Sequence, residues 1–169
     1  MLHLDALYRA ALRLTGKPAD AEDLVQETCL RAFQAFDQLK QPQAARAWVF
    51  AILRSIFLRQ AGRRSRQPTR QSLEDHEGAI LDHAVGEQDA SPARQTLLQE
   101  IRRATLDLPV PYREALILAH IGGFSYREMA HILEIPLGTV MSRLFRARRM
   151  LRTSLMEPVG NPASVAPER

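Results

Sequence analysis

Apolar residues recur at three- and four-residue intervals along most of the chain, and no stretch alternates as a half-buried strand would. Leu4, Leu7, Ala11 and Leu14 form a first stripe that stops at "TGKP", where glycine and proline end a helix. "DAEDLVQETCLRAF" then starts a second helix, with Asp20 as its N-cap and acids in the first turn, where the helix dipole favours them. Its expected apolar face is Ala21, Val25, Cys29, Ala32, Phe33 and Phe36. "DQLKQPQA" reads as a loop. From about Ala44 to Arg63, the residues Trp48, Ala51, Ile52, Ser55, Ile56 and Arg59 fall on one side of a third helix.

The periodicity then lapses into a Gly-, Pro-, Ser- and Gln-containing stretch that reads as a linker. It returns near Pro92–Ala93 with Leu97, Ile101 and Ala104, and breaks at "LDLPVP". "YREALILAHIGG", "SYREMAHIL" and an arginine-rich helix follow, before a proline-bearing tail without an apolar face. The pattern predicts an all-α chain of two small helical domains, residues 1–64 and 93–156, joined by a flexible linker at 65–92 and ending in a disordered tail at 157–169.

Charge sharpens this division. The 169-residue chain has a formal net charge of only +4, with apolar residues making up 46%. Residues 41–70, however, hold seven arginines and no acid, residues 71–92 hold six acids and no Lys or Arg, and residues 139–157 hold five arginines against one acid. Two basic blocks separated by an acidic one point to two contacts with a polyanion. Only Lys17 and Lys40 are lysines, and arginine suits bidentate phosphate and base-edge contacts. Cys29 is the only cysteine, which excludes an intrachain disulfide and fits a reducing cytoplasm. The opening segment is interrupted by Asp5, Arg9 and Arg13, unlike a signal peptide, and no run approaches the roughly 18 apolar residues of a membrane span. The chain therefore reads as cytoplasmic. The five histidines are dispersed, and no triad, Gly-rich phosphate loop or metal spacing accompanies them, so neither catalysis nor a cofactor is expected. His76 and His83 in the acidic linker do not make a metal site.

"FSYREMAHILEIPLGTVMSRLFRARRML" has the organisation of a helix-turn-helix. Ser125 and Glu128 have capping-box spacing, Ala130 is small where two helices cross, and Pro136 stops the first helix. In the second helix Val140, Leu144, Ala147 and Leu151 form an inward stripe. Met141, Ser142, Phe145, Arg146 and Arg149 form the opposite one. A merely solvated basic face would not explain Met141 and Phe145 there. Met141, Ser142, Phe145 and Arg146 are assigned to base edges, with Thr139 near the helix start. Arg143, Arg148, Arg149 and Arg127 are assigned to phosphates.

Together, "DAEDLVQETCLRAF", the aromatic and arginine-rich "RAWVFAILRSIFLRQAGRRSR" and the helix-turn-helix block resemble the short bacterial sigma factors of the extracytoplasmic-function group, in the sigma-70 family. The resemblance spans roughly residues 4–155. It implies a non-enzymatic subunit that binds core RNA polymerase at the clamp and flap and directs it to promoter DNA, under the control of an anti-sigma factor. By resemblance, Asp23, Gln26, Glu27 and Leu30 meet the polymerase. Arg46, Trp48, Arg54, Ser55, Arg59, Arg63 and Arg64 lie on the side that opens and holds the −10 element, together with the loop at 37–46. The motif residues of the second helical block read the −35 element. Aromatic stacking on an exposed strand contributes on the order of 1–3 kcal/mol per base, and Trp48, Phe50 and Phe57 lie among the arginines, although spacing alone places Trp48 and Ile56 equally well in the core.

Three positions depart from the family pattern. Ser55 stands where Asn is common and Arg59 where Asp is common, which leaves Arg59 either DNA-facing or structural. Glu134 stands where glycine usually occupies the turn, and predicts a left-handed or otherwise costly backbone there. The competing reading is an operator-binding regulator that acts without polymerase.

Overall fold

The computed structural model describes residues 4–66 and 91–156, and among them every regular element is helical. These are α1 (Leu4–Thr15), α2 (Pro18–Gln34), α3 (Ala45–Arg66), α4 (Pro92–Asp107), α5 (Val110–His120), α6 (Tyr126–Leu133) and α7 (Leu137–Met156). Two short 3-10 turns, Phe36–Gln38 and Pro42–Ala44, interrupt the loop expected between α2 and α3. The expected linker falls almost wholly outside the described residues, as does the tail at 157–169.

Helix α2 begins earlier than its acids suggest. Pro18 takes the first helical position and Lys17 the N-cap, so Asp20 sits inside the first turn and is not the cap. Proline is preorganised for that position, because its fixed φ suits the helix and its missing N–H would be unpaired anyway. The buried face of α2 also differs from the expected one. Ala21, Leu24, Thr28 and Ala32 are buried, with Val25 and Cys29 at their flank, whereas Phe33 and Phe36 are 82% and 64% exposed. Thr28 is accommodated in the core because its hydroxyl donates to the Leu24 carbonyl at 2.6 Å.

In α3 the buried residues are Val49, Phe50, Leu53, Ile56 and Phe57, while Trp48 and Ile52 are half-buried and Ser55 is exposed. The expected stripe is rotated because α3 packs not only on α1 and α2 but also on α6 of the second block.

That second contact joins the halves into one contiguous core. Helix α1 packs on α4 and α5 as well as α2. Gly16 turns the chain between α1 and α2 with φ 77°, and a Cβ there would lie 3.2 Å from Leu106 Cδ2. The Arg113 guanidinium donates to the carbonyls of Leu14 at 2.9 Å, Leu108 at 3.0 Å and Leu106. One cation thus closes the C-terminal ends of α1 and α4, where carbonyls lack helical partners.

Candidate nucleic-acid and partner interfaces

The helix-turn-helix forms as its capping residues dictate. The Ser125 hydroxyl accepts from the Glu128 N–H at 3.3 Å, and the Glu128 carboxylate accepts from the Ser125 N–H at 2.7 Å. The Ser125 hydroxyl and backbone bonds hold the Glu128 carboxyl below the usual carboxylate range. At the other end of α6, Glu134 adopts the left-handed conformation, φ 54° and ψ 43°. That turn lets the Ile135 N–H reach the Ala130 carbonyl at 3.1 Å and redirects the chain into α7.

Val140, Leu144 and Ala147 seat α7 on α5 and α6, completely buried or nearly so. The opposite face leaves Met141 49% and Phe145 67% exposed, beside exposed Ser142, Arg146, Arg148 and Arg149. Ser142 Oγ donates to the Thr139 carbonyl at 3.0 Å, and Thr139 itself is half-buried. Arg127 is exposed near the start of α6. Arg143 stands apart from this face: it is half-buried and close enough for its charge to act on Glu114 of α5.

On α2, Asp23, Gln26 and Leu30 lie on an exposed stripe, Leu30 at 57%. Phe33 continues that stripe, one turn beyond Leu30, and sequence reasoning missed it by placing it in the core. The signal was its spacing from Gln26 and Leu30. Glu27 is engaged differently from its neighbours. It accepts from Arg59 at 2.9 Å and Gln60 at 3.2 Å, and pairs with Arg31 at 2.9 Å. Arg59 is therefore a tie between α3 and α2, with its side chain still 37% exposed. Beside the stripe, Leu4, Leu7, Cys29, Phe33, Phe36 and Trp48 line an open apolar groove of about 560 Å³.

The cationic face of α3 is partly occupied from within. The Arg46 guanidinium lies 4.7 Å from the Phe124 ring centre and donates to the Gly122 carbonyl. Arg54 Nε is 3.2 Å from Glu114 Oε1. Neither atom has an aligned hydrogen bond, so the contact is an ion pair by proximity. Burial pushes the Glu114 carboxyl up, against the opposing pull of Arg54 and Arg143. Phe50 packs edge-on against Phe124, with centroids 4.9 Å apart, and Phe57 is buried, so neither offers a face for base stacking. Trp48 is half-buried at the groove, and Ser55 and Arg63 are exposed. The Arg64 side chain lies outside the described residues. Glu114 and Phe124 carried no sequence signal, because each is a single residue in a helical or turn context whose partner is distant along the chain. Among the described residues no group of His, Cys, Asp and Glu is arranged to hold a metal ion, and no helix is long and apolar enough to cross a membrane.

Both halves match known families. Residues 1–67 match the model of sigma-70 region 2, and residues 98–151 that of sigma-70 region 4. The chain is 36% identical to the ECF RNA polymerase sigma factor SigE of Mycolicibacterium smegmatis over 97% of its own length, and spans 63% of that relative. It is 37% identical to the ECF RNA polymerase sigma factor EcfG of Rhodopseudomonas palustris, covering 89% of this chain and 79% of the relative. Among solved structures, the sigma factor RpoE of Bartonella quintana, in complex with the anti-sigma factor NepR, matches with a TM-score of 0.73 and 34% identity over 90% of this chain and 91% of that one. CnrH, in complex with the cytosolic domain of CnrY, matches with a TM-score of 0.61 and 26% identity over 89% and 80%.

Proposed function

The chain belongs to the extracytoplasmic-function RNA polymerase sigma factors of the sigma-70 family, and we propose that it acts in the cytoplasm as a non-catalytic promoter-specificity subunit of RNA polymerase. The observation that carries this reading is the pairing, in one chain, of two exposed surfaces of different chemistry. One is the acidic and apolar stripe Asp23–Gln26–Leu30–Phe33 on α2; the other is the Met141–Phe145–Arg146–Arg149 face of a capped helix-turn-helix. The first suits a protein partner, the clamp of core polymerase. The second suits the major groove of a −35 element, with the chemistry of Arg146 matching guanine and that of Met141 and Phe145 matching thymine methyls. Residues 1–64 act as the polymerase-docking and −10 half, and residues 93–156 as the −35 half.

An anti-sigma factor fits the same reading, since its structural relatives include sigma factors held by such proteins. It would cover the α2 stripe and part of the basic face at once, blocking polymerase and promoter together.

Transcription in vitro with purified core polymerase tests the proposal. The expected result is promoter-dependent transcripts that require both the chain and core, with little promoter binding by the chain alone. Failure to co-purify with core, together with tight autonomous binding to a palindromic site, would establish an operator-binding regulator instead.

A further inference from the structure

Glu27 lies where α2 meets α3, and both of its carboxylate oxygens are engaged. Oε1 takes the Arg59 guanidinium of α3 and the Arg31 guanidinium of α2, each at 2.9 Å, while Oε2 accepts from Gln60 Nε2 at 3.2 Å. Two guanidinium cations against one carboxylate leave this cluster with a net positive charge. Its charged members are not sequestered: the side chains of Arg31, Glu27 and Arg59 are 39%, 35% and 37% exposed. The cluster borders the Asp23–Gln26–Leu30–Phe33 stripe, since Glu27 follows Gln26 on α2 and Arg31 follows Leu30. Leu30 and Phe33 are exposed there, an apolar surface of the kind a protein partner covers. Glu22 and Asp23 stand exposed at the start of the same edge. Arg31 comes eight positions after Asp23, a rise of about 12 Å along the helix. The docking edge is therefore acidic at its start and cationic at its end.

We propose that the Arg31–Glu27–Arg59 cluster is a cationic rim of the docking surface, which receives a carboxylate of core polymerase and, with Asp23, fixes the register of that partner along α2. The rim rests on the reading of α2 as the polymerase-docking helix, and it changes what Glu27 does there. A free acid at this place would meet a cation of the partner. Here both oxygens already accept from three donors, so Glu27 is a positioning residue that holds Arg59 at the edge of α2. Arg59 reaches Glu27 through Nη2, and the rest of its planar five-donor fork suits a second carboxylate. The identity of residue 59 sets the sign of the rim: an acid beside Glu27 would make it anionic, and arginine makes it cationic. The partner this edge fits carries a cation facing Asp23 and a carboxylate about 12 Å further along. Charges arranged in that way fix register and suppress wrong partners more than they add affinity.

The test titrates the full chain with purified core polymerase at low and high salt, with a thermal melt of each variant alongside. Arg59→Met removes the cation and keeps an unbranched stem. It should lower core affinity about two- to fivefold, the range of an exposed ion pair. That loss should fade at about 1 M salt, where the screening length is about 3 Å. Arg31→Met leaves the tie between α3 and α2 intact and should do the same, so it carries the test if Arg59→Met does not fold. Glu27→Gln can still accept from Arg59 while its counter-charge is gone, and should tighten core binding about twofold. Arg9→Met, at an exposed site on α1, should leave core affinity unchanged. Three results would each overturn the rim: unchanged core affinity in both Arg31→Met and Arg59→Met, a loss as large at high salt as at low, or weaker core binding by Glu27→Gln. A labelled single-stranded oligonucleotide supplies a fourth, since Arg59→Met weakening its binding as much as that of core would give Arg59 to the DNA. Asp23→Arg and Phe33→Ser judge the docking helix separately. If they lower core affinity and Arg59→Met and Arg31→Met do not, the rim alone is rejected; if they do not, the docking reading of α2 falls and the rim with it.

Discussion

Glu134 sits in left-handed backbone, φ 54° and ψ 43°, where a Cβ clashes with the following carbonyl and costs about 1–2 kcal/mol. Glycine removes the clash but loses more chain entropy on folding. Glu134→Gly should therefore raise stability by about 0.5–1 kcal/mol, a rise of a few degrees in melting temperature. A thermal melt checks it, and a lower melting point would mean that the Glu side chain itself supports the turn. This residue was legible in the sequence, because it stands where a turn demands glycine. The exposure of Arg146 was legible too, from its place on the polar stripe of α7. Arg146→Ala should weaken use of the −35 element by about 1–3 kcal/mol, the range for one bidentate base contact, and leave core binding unchanged. Run-off transcription and a core-binding assay together decide it, since equal loss in both would remove Arg146 from the base-reading set. Glu114 was not legible. A glutamate in a Leu- and Ile-rich helix shows its burial only when the helix that buries it is known.

At the scale of elements, helix number and most boundaries followed from apolar spacing, while the rotation of α2 and α3 did not. A stripe read from one sequence presumes one partner, and α3 packs against α6 of the second block as well as α1 and α2. Phe33 in α2 and Phe36 in the turn after it looked like core because aromatic residues usually are, yet Leu24 and Thr28 fill that role. The exposed stripe that results makes a prediction about the element as a whole. Asp23→Arg and Phe33→Ser should each lower affinity for core polymerase by about tenfold or more, the loss expected of an interface anchor, with promoter preference unchanged among the complexes that form. Their melting temperatures should stay near that of the wild type, because both side chains are solvent-exposed. Affinity by fluorescence titration, with a melt alongside, separates a lost contact from a lost fold. In α6 the capping box was legible residue by residue, and Ser125→Ala should cost about 1 kcal/mol. Glu128 has a carboxyl depressed by Ser125, so its stabilisation is fully present above the ordinary carboxylate value and is lost as pH falls through the depressed one. Denaturant melts at neutral and acidic pH should show the wild type approaching Ser125→Ala as the carboxyl is protonated.

For the whole molecule, the order of motifs announced two halves and the family they form, but nothing local announced that the halves share a core. Gly16 against Leu106, Arg113 across Leu14 and Leu108, and Phe50 against Phe124 join segments far apart in the chain, and each residue alone has an ordinary local explanation. The joint has a pH dependence whose sign follows from Glu114. Its carboxyl is raised by burial, with Arg54 and then Arg143 pulling the other way, so the closed form takes up a proton more readily than an open or unfolded one does. A raised carboxyl favours the closed form fully below the ordinary carboxylate value, and that advantage is lost as pH rises through the raised value. Mild acidification should therefore tighten the joint, opposite to the effect expected at the Glu128 cap. The two are separable by where they are read: amide exchange at Phe124 and in α5 should slow on acidification once the intrinsic exchange rate is divided out, while the first turn of α6 loosens. Glu114→Gln, a neutral isostere, should keep the halves together and flatten the α5 response. If that variant kept the wild-type pH dependence, the group that takes up the proton on closing would be one other than Glu114.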